Sequence, residues 1–248
     1  MAVDYVFLHG GKQGGWVWDE AVAALRAQAP GEVGKVLALD IPGCGAKRGR
    51  ETADLTFEAI IQELAGDVRA SEVRDAVLVG HSQAGTVMPR LLEAAPAVFR
   101  RAVYVSCCAP APGQTVAQMM GSSVHGASPD EVGWPTDPAL GFDALFPLMF
   151  CNDMSEAQRR AFIAQLGADE WPAACAAEDN WRYGGAPQVP ATYVICLDDG
   201  ILTVPWQLRF AERFGVETRV DVQAGHQVMN TRPHTLAEVL RFEAIRGE

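Results

Sequence analysis

The sequence predicts an α/β protein: a mostly parallel sheet flanked by helices. Two observations predict it. Short apolar runs rich in β-branched residues alternate with helical patterns, at spacings that suit right-handed crossovers and a parallel sheet. That rhythm breaks once, after Ser106, and resumes near Pro190, so a single core carries one long insertion.

The elements follow in order. Val3 to Leu8 is a buried strand that closes on His9-Gly10-Gly11. The loop Gly10-Gly11-Lys12-Gln13-Gly14-Gly15 lacks both the G-K-[ST] of a P-loop and the G-x-G-x-x-G of a dinucleotide site. Glycine here lets backbone come very close to a ligand. Trp16 to Gln28 is an amphipathic helix with Val17, Ala21, Ala24 and Leu25 on one face. Lys35 to Leu39 is a strand, Thr56 to Val68 a helix and Asp75 to Val79 a strand. Gln83 to Ala94 is a helix in which Pro89 marks a bend or a first-turn break. Arg101 to Val105 is the next strand.

Residues 109–186 are rich in proline and glycine, with helical patches at Phe142–Phe150, Ser155–Leu166 and Glu170–Asn180; Ser155 is placed to cap the second. An insertion after a strand of such a sheet lies over the C-terminal strand ends, where ligands bind. Residues 1–108 and 187–248 are thus expected to form the core and 109–186 a helical lid, within one folding domain. The lid is expected to give an apolar pocket wall from Trp134, Phe142, Phe146, Leu148, Met149 and Trp181. Beyond it, Pro190 to Leu197 is a strand, Pro205 to Phe214 a helix, Val216 to Val222 a strand and Thr231 to Arg246 the closing helix.

The bulk numbers limit the function. A chain of 248 residues buries a sizeable core. Its net charge of −11 argues against nucleic acid or an anionic membrane as a partner. The cysteines at 44, 107, 108, 151, 175 and 196 form no C-x-x-C pair and no metal spacing, and several lie in apolar runs. They are expected to be buried free thiols in a reducing compartment. The chain opens straight into a strand-like run, and no apolar segment is long enough for a bilayer, so the expected location is the cytoplasm. No metal or other cofactor is expected. Oligomeric state is open, and a homodimer is compatible with the sequence.

Chemistry concentrates at strand ends. Val77-Leu78-Val79-Gly80-His81-Ser82-Gln83-Ala84-Gly85 is an apolar run that delivers a serine into a turn lined by small residues. Gly80 and Ser82 fit G-x-S-x-G, whereas Ala84 stands at the second glycine position and Gly85 comes one place later. A serine hydroxyl is a poor nucleophile near neutral pH. It needs a base, and the base needs a carboxylate to hold its tautomer. Asp198 or Asp199, and then His226, follow later strands in that order, so a parallel sheet brings them to the edge that carries Ser82.

The chain resembles the α/β-hydrolases nearly end to end, and within them the small esterase and hydroxynitrile lyase group. The matching stretches are Phe7–Trp18 (F-L-H-G-G-K-Q-G-G-W-V-W), Leu39–Gly43 (L-D-I-P-G), Gly80–Gly85 (G-H-S-Q-A-G), the acid turn, and Ala224–Met229 (A-G-H-Q-V-M). The resemblance implies a serine hydrolase that cleaves the ester of a small, fairly apolar substrate through an acyl-enzyme on Ser82. His226 is then the base, and the backbone N–H groups of Gly11 and Gln83 form the oxyanion hole. The family places a glutamine eight positions after the acid; Gln207 fits Asp199, which is therefore chosen. His9 and His81 are expected to be structural, and His125, His234 and Lys12 to lie at the surface.

Other chemistry occurs on this fold. A plant-type hydroxynitrile lyase needs a lysine directly after the histidine, and here that residue is Gln227. Dehalogenases and epoxide hydrolases carry an aspartate in place of Ser82. A lactonase, a cofactor-free dioxygenase and a small-molecule receptor that retains the triad remain compatible with these residues.

Overall fold

The computed structural model describes residues 2–183, 189–216 and 218–246. The boundary placed between 186 and 187 lies outside the described residues. Among the described residues six strands form one sheet: β1 (Val3–Leu8), β2 (Val33–Leu39), β3 (Ala76–His81), β4 (Phe99–Val105), β5 (Ala191–Cys196) and β6 (Thr218–Val222). They run in the order β2-β1-β3-β4-β5-β6, and every pairing is parallel.

Burial explains the patterns. All six residues of β3 are buried, because β3 lies inside the sheet with helices on both sides, whereas the edge strand β2 is buried only at Leu39. The chain steps from β1 to β2 in one direction and then crosses back to β3. Right-handed crossovers in opposite directions put their helices on opposite faces. Accordingly α1 (Asp19–Gln28) packs on α10 (Pro233–Ile245), and α2 (Phe57–Ala70) packs on α3 (Met88–Ala94). The reversal opens a crevice between the C-terminal ends of β1 and β3, where ligands of such sheets bind. Register keeps those ends level: Leu8 pairs with Gly80, and His81 with Val105.

Three expected boundaries shift, two of them at prolines. A 3-10 turn, Ser82–Thr86, precedes α3, and Pro89 lies in the first turn of α3, where its missing N–H costs no helical bond. The run expected at Trp16–Gln28 likewise starts as a 3-10 turn, Gly15–Trp18. The closing helix expected over Thr231–Arg246 starts instead at Pro233, as α10, and a separate turn of helix, α9 (Val228–Thr231), precedes it.

Between β4 and β5 the described residues form α4 (Val116–Met120), α5 (Phe142–Phe150), α6 (Glu156–Ile163) and α7 (Ala173–Ala177). The helix α5 has the bounds expected of it. Ser155 caps α6 through a reciprocal bond pair with Gln158. The patch expected over Glu170–Asn180 is helical only in α7, because Pro172 starts it and Glu178 is extended. The short α4 has no sequence counterpart among the expected elements. The helix α8 (Val204–Arg213) links β5 to β6.

Candidate active site

Ser82 follows β3 directly and has φ 55°, a left-handed conformation that costs a non-glycine residue about 1 kcal/mol or more. Ala84 is fully buried and fits. The glycine that the turn requires is Gly85, where a side chain would run into the Cys108 carbonyl and the Phe214 ring. The one-place shift in the motif thus reflects how closely the chain after β4 approaches this turn. That chain also holds it: Cys108 N–H donates to Ser82 O at 3.0 Å, and Cys107 Sγ donates to Gly80 O at 3.1 Å. All six cysteines are free and buried. Burial pushes the Cys107 and Cys196 thiols well above the usual thiol range.

The loop after β1 packs against the same turn. A Cβ added to Gly10 would sit 2.9 Å from Ser82 Cβ, and one added to Gly11 would collide with Gln83 Oε1. Gly11 and Gln83 are therefore neighbours across the crevice.

His226 follows β6 and Asp199 follows β5. Their side chains are fully buried, and His226 Nδ1 donates to Asp199 Oδ2 at 2.6 Å. When the ring is neutral, that bond leaves Nε2 as the unprotonated nitrogen. His226 Nε2 is buried and has no hydrogen-bond partner among the described residues. The His81 ring lies beside it, with centroids 4.5 Å apart, and His81 Nε2–H donates to His226 O at 2.9 Å. Burial, and then the neighbouring His226, hold His81 well below the ordinary histidine pKa, so it is neutral.

The acid turn distinguishes the two aspartates. Asp199 Oδ1 accepts from Ile201 N–H at 2.7 Å and Leu202 N–H at 2.9 Å, and Oδ2 accepts from Ser106 as well as His226. Gln207 braces the turn: its Oε1 accepts from Cys196 N–H at 2.8 Å, and its Nε2 donates to the Cys196 and Leu202 carbonyls. Asp198 is exposed and accepts from Gln223 Nε2.

A cavity of about 230 Å³ opens over Ser82 and Gln83. Trp134, Phe146 and Met149 line it, with Met119, Leu145 and Phe150, which sequence reasoning did not select. Trp181 and Leu148 do not line it, contrary to expectation. The Trp181 indole N–H needs an acceptor and finds Gln114 O at 2.7 Å, which seats the ring edge-on against Phe57 instead. Leu148 is on the outer side of α5, 48% exposed. Lys12, expected at the surface, also reaches the cavity rim, where Glu170 pairs with it at 2.7 Å. His125 and His234 are exposed.

Ser106 and Asp169 are buried polar residues that sequence reasoning did not select. Ser106 directly follows β4, where the alternation breaks, and that position past a strand end was the available signal. Asp169 had none: its partners Trp16, Gly45 and Arg48 are more than a hundred positions away. Among the described residues no cluster of His, Cys, Asp or Glu could hold a metal ion, and no helix is long and apolar enough to cross a membrane.

Known proteins are similar to this chain along its length. The carbendazim hydrolyzing esterase of a Nocardioides species is 26% identical, with 96% of this chain and 98% of that one aligned. Polyneuridine aldehyde esterase of Rauvolfia serpentina is 25% identical, with 95% and 93% covered. Among solved structures, an extracellular α/β-hydrolase from Paenibacillus superposes with a TM-score of 0.76 at 22% identity, covering 98% of this chain and 99% of that one. A pyrethroid hydrolase gives a TM-score of 0.76 at 21% identity over the full length of both. The sequence model of the alpha/beta hydrolase family matches residues 5–239. With the six-stranded parallel sheet and a serine turn after its third strand, that match shows that the chain belongs to the alpha/beta hydrolase family.

Proposed function

We propose that the protein is a carboxylic-ester hydrolase that acts on a small, fairly apolar ester through an acyl-enzyme on Ser82. The observation that carries this reading is the state of His226. Nδ1–H is committed to a buried carboxylate, and Nε2 is buried and has no hydrogen-bond partner among the described residues. A ring held in that tautomer is a general base. The esterases among the relatives support ester cleavage.

In this reading Ser82 Oγ attacks the ester carbonyl carbon and its proton passes to His226 Nε2. The carbonyl π pair becomes an oxyanion, held by Gly11 and Gln83 N–H. Collapse expels the alcohol oxygen, which takes the proton from Nε2. Water then attacks the acyl carbon as its proton goes to Nε2, and the carboxylic acid leaves as Ser82 regains the proton. Asp199 stays ionised and stabilises the imidazolium. Residues 109–186 act as a lid whose Trp134, Phe146 and Met149 shape the apolar pocket. The buried thiols support a reducing, cytoplasmic location. The partner is the small-molecule ester, without nucleic acid or membrane, and a homodimer stays compatible.

The test is hydrolysis of p-nitrophenyl esters, with a fluorophosphonate as covalent probe. Ser82→Ala and His226→Ala should each lose about 10⁴-fold or more in kcat with the fold intact. The probe should label Ser82 once per chain. Retention of most activity by His226→Ala would sink the mechanism. Tight ligand binding with negligible turnover would favour a receptor, and oxygen uptake with carbon monoxide release a dioxygenase.

A further inference from the structure

Two ring N–H groups hold the carbonyl of Gly10. Trp171 Nε1–H donates to Gly10 O at 3.1 Å, and His9 Nδ1 lies 2.8 Å from the same oxygen. The other nitrogen of His9 fixes its tautomer. Ile41 N–H donates to His9 Nε2 at 3.2 Å, so the ring proton is on Nδ1 and points at Gly10 O. His9 is fully buried, and burial holds its pKa below the ordinary value, which keeps the ring neutral. The His9 and Trp171 rings meet edge to face with centroids 5.8 Å apart.

A carbonyl oxygen has two lone pairs, and here each has a donor. The Gly10–Gly11 peptide is trans and planar. Gly10 C=O and Gly11 N–H therefore point to opposite edges of one rigid plate, and fixing the oxygen fixes the N–H. The close approach of Gly10 to Ser82 Cβ and of Gly11 to Gln83 puts this plate against the serine turn. Both donors also draw charge toward the carbonyl oxygen, which strengthens the N–H on the far edge.

Trp171 belongs to the segment between β4 and β5, not to the sheet. Residues 167–171 of that segment are fastened along the glycine loop and its neighbour. Gly167 N–H donates to Lys12 O at 3.1 Å, and Glu170 pairs with Lys12. Asp169, fully buried, accepts from Gly45 N–H, from Trp16 Nε1 and from both arms of Arg48. The indole is thereby delivered to Gly10 on a fixed support.

We propose that Trp171 is a positioning residue for the oxyanion hole: its indole N–H orients and polarises the Gly10–Gly11 peptide so that Gly11 N–H is aimed before substrate arrives. The proposal rests on the reading of Ser82 as nucleophile. It ties the inserted segment to the chemical step itself, in addition to its part in the pocket wall. A preaimed donor acts on the charge that develops in the transition state and little on the neutral ester.

The test compares Trp171→Phe with wild type on p-nitrophenyl acetate. We expect kcat to fall about 10-fold with KM within about two-fold. The inhibition constant of a trifluoromethyl ketone, whose serine adduct carries an oxyanion, should weaken by the same factor. Trp181→Phe removes another indole N–H of the same segment, one that bonds Gln114 O and does not line the cavity, and should keep wild-type kcat. Unchanged kcat in Trp171→Phe, or an equal loss in Trp181→Phe, overturns the proposal. If Trp171→Phe fails to fold, benzothienylalanine at position 171 keeps the two-ring shape, lacks the N–H, and is read by the same criteria. A wild-type protein that neither turns over the ester nor binds the ketone overturns the hydrolase reading and this proposal together. An active wild type with an unaffected Trp171→Phe overturns the positioning role alone.

Discussion

Ser106 Oγ donates to Oδ2 of Asp199 at 2.5 Å, the oxygen that also accepts from His226 Nδ1 at 2.6 Å. Ser106 is fully buried and has φ 40°, so the chain after β4 holds a strained residue where its hydroxyl meets the acid. Ser106→Ala should lower kcat about 3- to 10-fold with KM unchanged, because the carboxylate loses one of four donors but keeps its place. The same variant should lose about 1 kcal/mol in urea unfolding. Wild-type kcat in Ser106→Ala would reduce this bond to a packing contact.

The two adjacent aspartates should separate sharply. Asp199 is tied to His226 and to two backbone N–H groups, whereas Asp198 is exposed. Asp199→Asn offers an amide where His226 needs an acceptor and favours the wrong tautomer, so kcat should fall about 10³- to 10⁴-fold. Asp198→Asn should stay within about two-fold. Steady-state kinetics on one p-nitrophenyl ester decides between them, and an undisturbed Asp199→Asn enzyme would remove Asp199 from the mechanism.

Pocket size should govern acyl preference. Met149 is buried and lines the cavity of about 230 Å³ beside Ser82. Met149→Trp should fill part of that space. The ratio of kcat/KM for p-nitrophenyl butyrate over acetate should drop about 10-fold or more, since each lost methylene contact is worth about 1–3 kcal/mol. An unchanged ratio would place the acyl group elsewhere.

Acid should selectively loosen the clasp at Asp169. Burial pushes this carboxyl upward, but the Arg48 guanidinium, Trp16 N–H and Gly45 N–H outweigh it and hold the pKa below the ordinary value. A folded-state pKa below the unfolded one gives stability that is full above the unfolded pKa, about 3.9, and lost as pH falls through the folded value. Asp169→Asn should therefore be less stable than wild type at pH 7 by about 2 kcal/mol. Urea titrations at a series of pH values should show the two proteins converging below about pH 4. A gap that persists unchanged in acid would mean that the loss is steric rather than ionic.

The sheet and its strand ends were legible in the sequence because periodicity and turn chemistry are local. Apolar runs closing on His9-Gly10-Gly11, on Ser82, on Asp198-Asp199-Gly200 and on Gly225-His226 mark the loops that the parallel register brings to one edge. Gln207, eight places after Asp199, marked the acid that His226 meets. What packs over that edge was not legible, because it depends on partners far away in sequence. Trp181 reads as an apolar wall residue until Gln114 O claims its N–H. Ser106, Asp169 and Trp171 look ordinary until the folded chain sets them beside Asp199, Arg48 and Gly10. By itself the sequence determined the strands, the serine turn and the order of the acid and the histidine. Only the tertiary structure decided which donors surround Asp199, which aromatics line the cavity, and which donors hold the glycine loop. A buried polar group must find its partner wherever packing puts one, and that partner is rarely near in the chain.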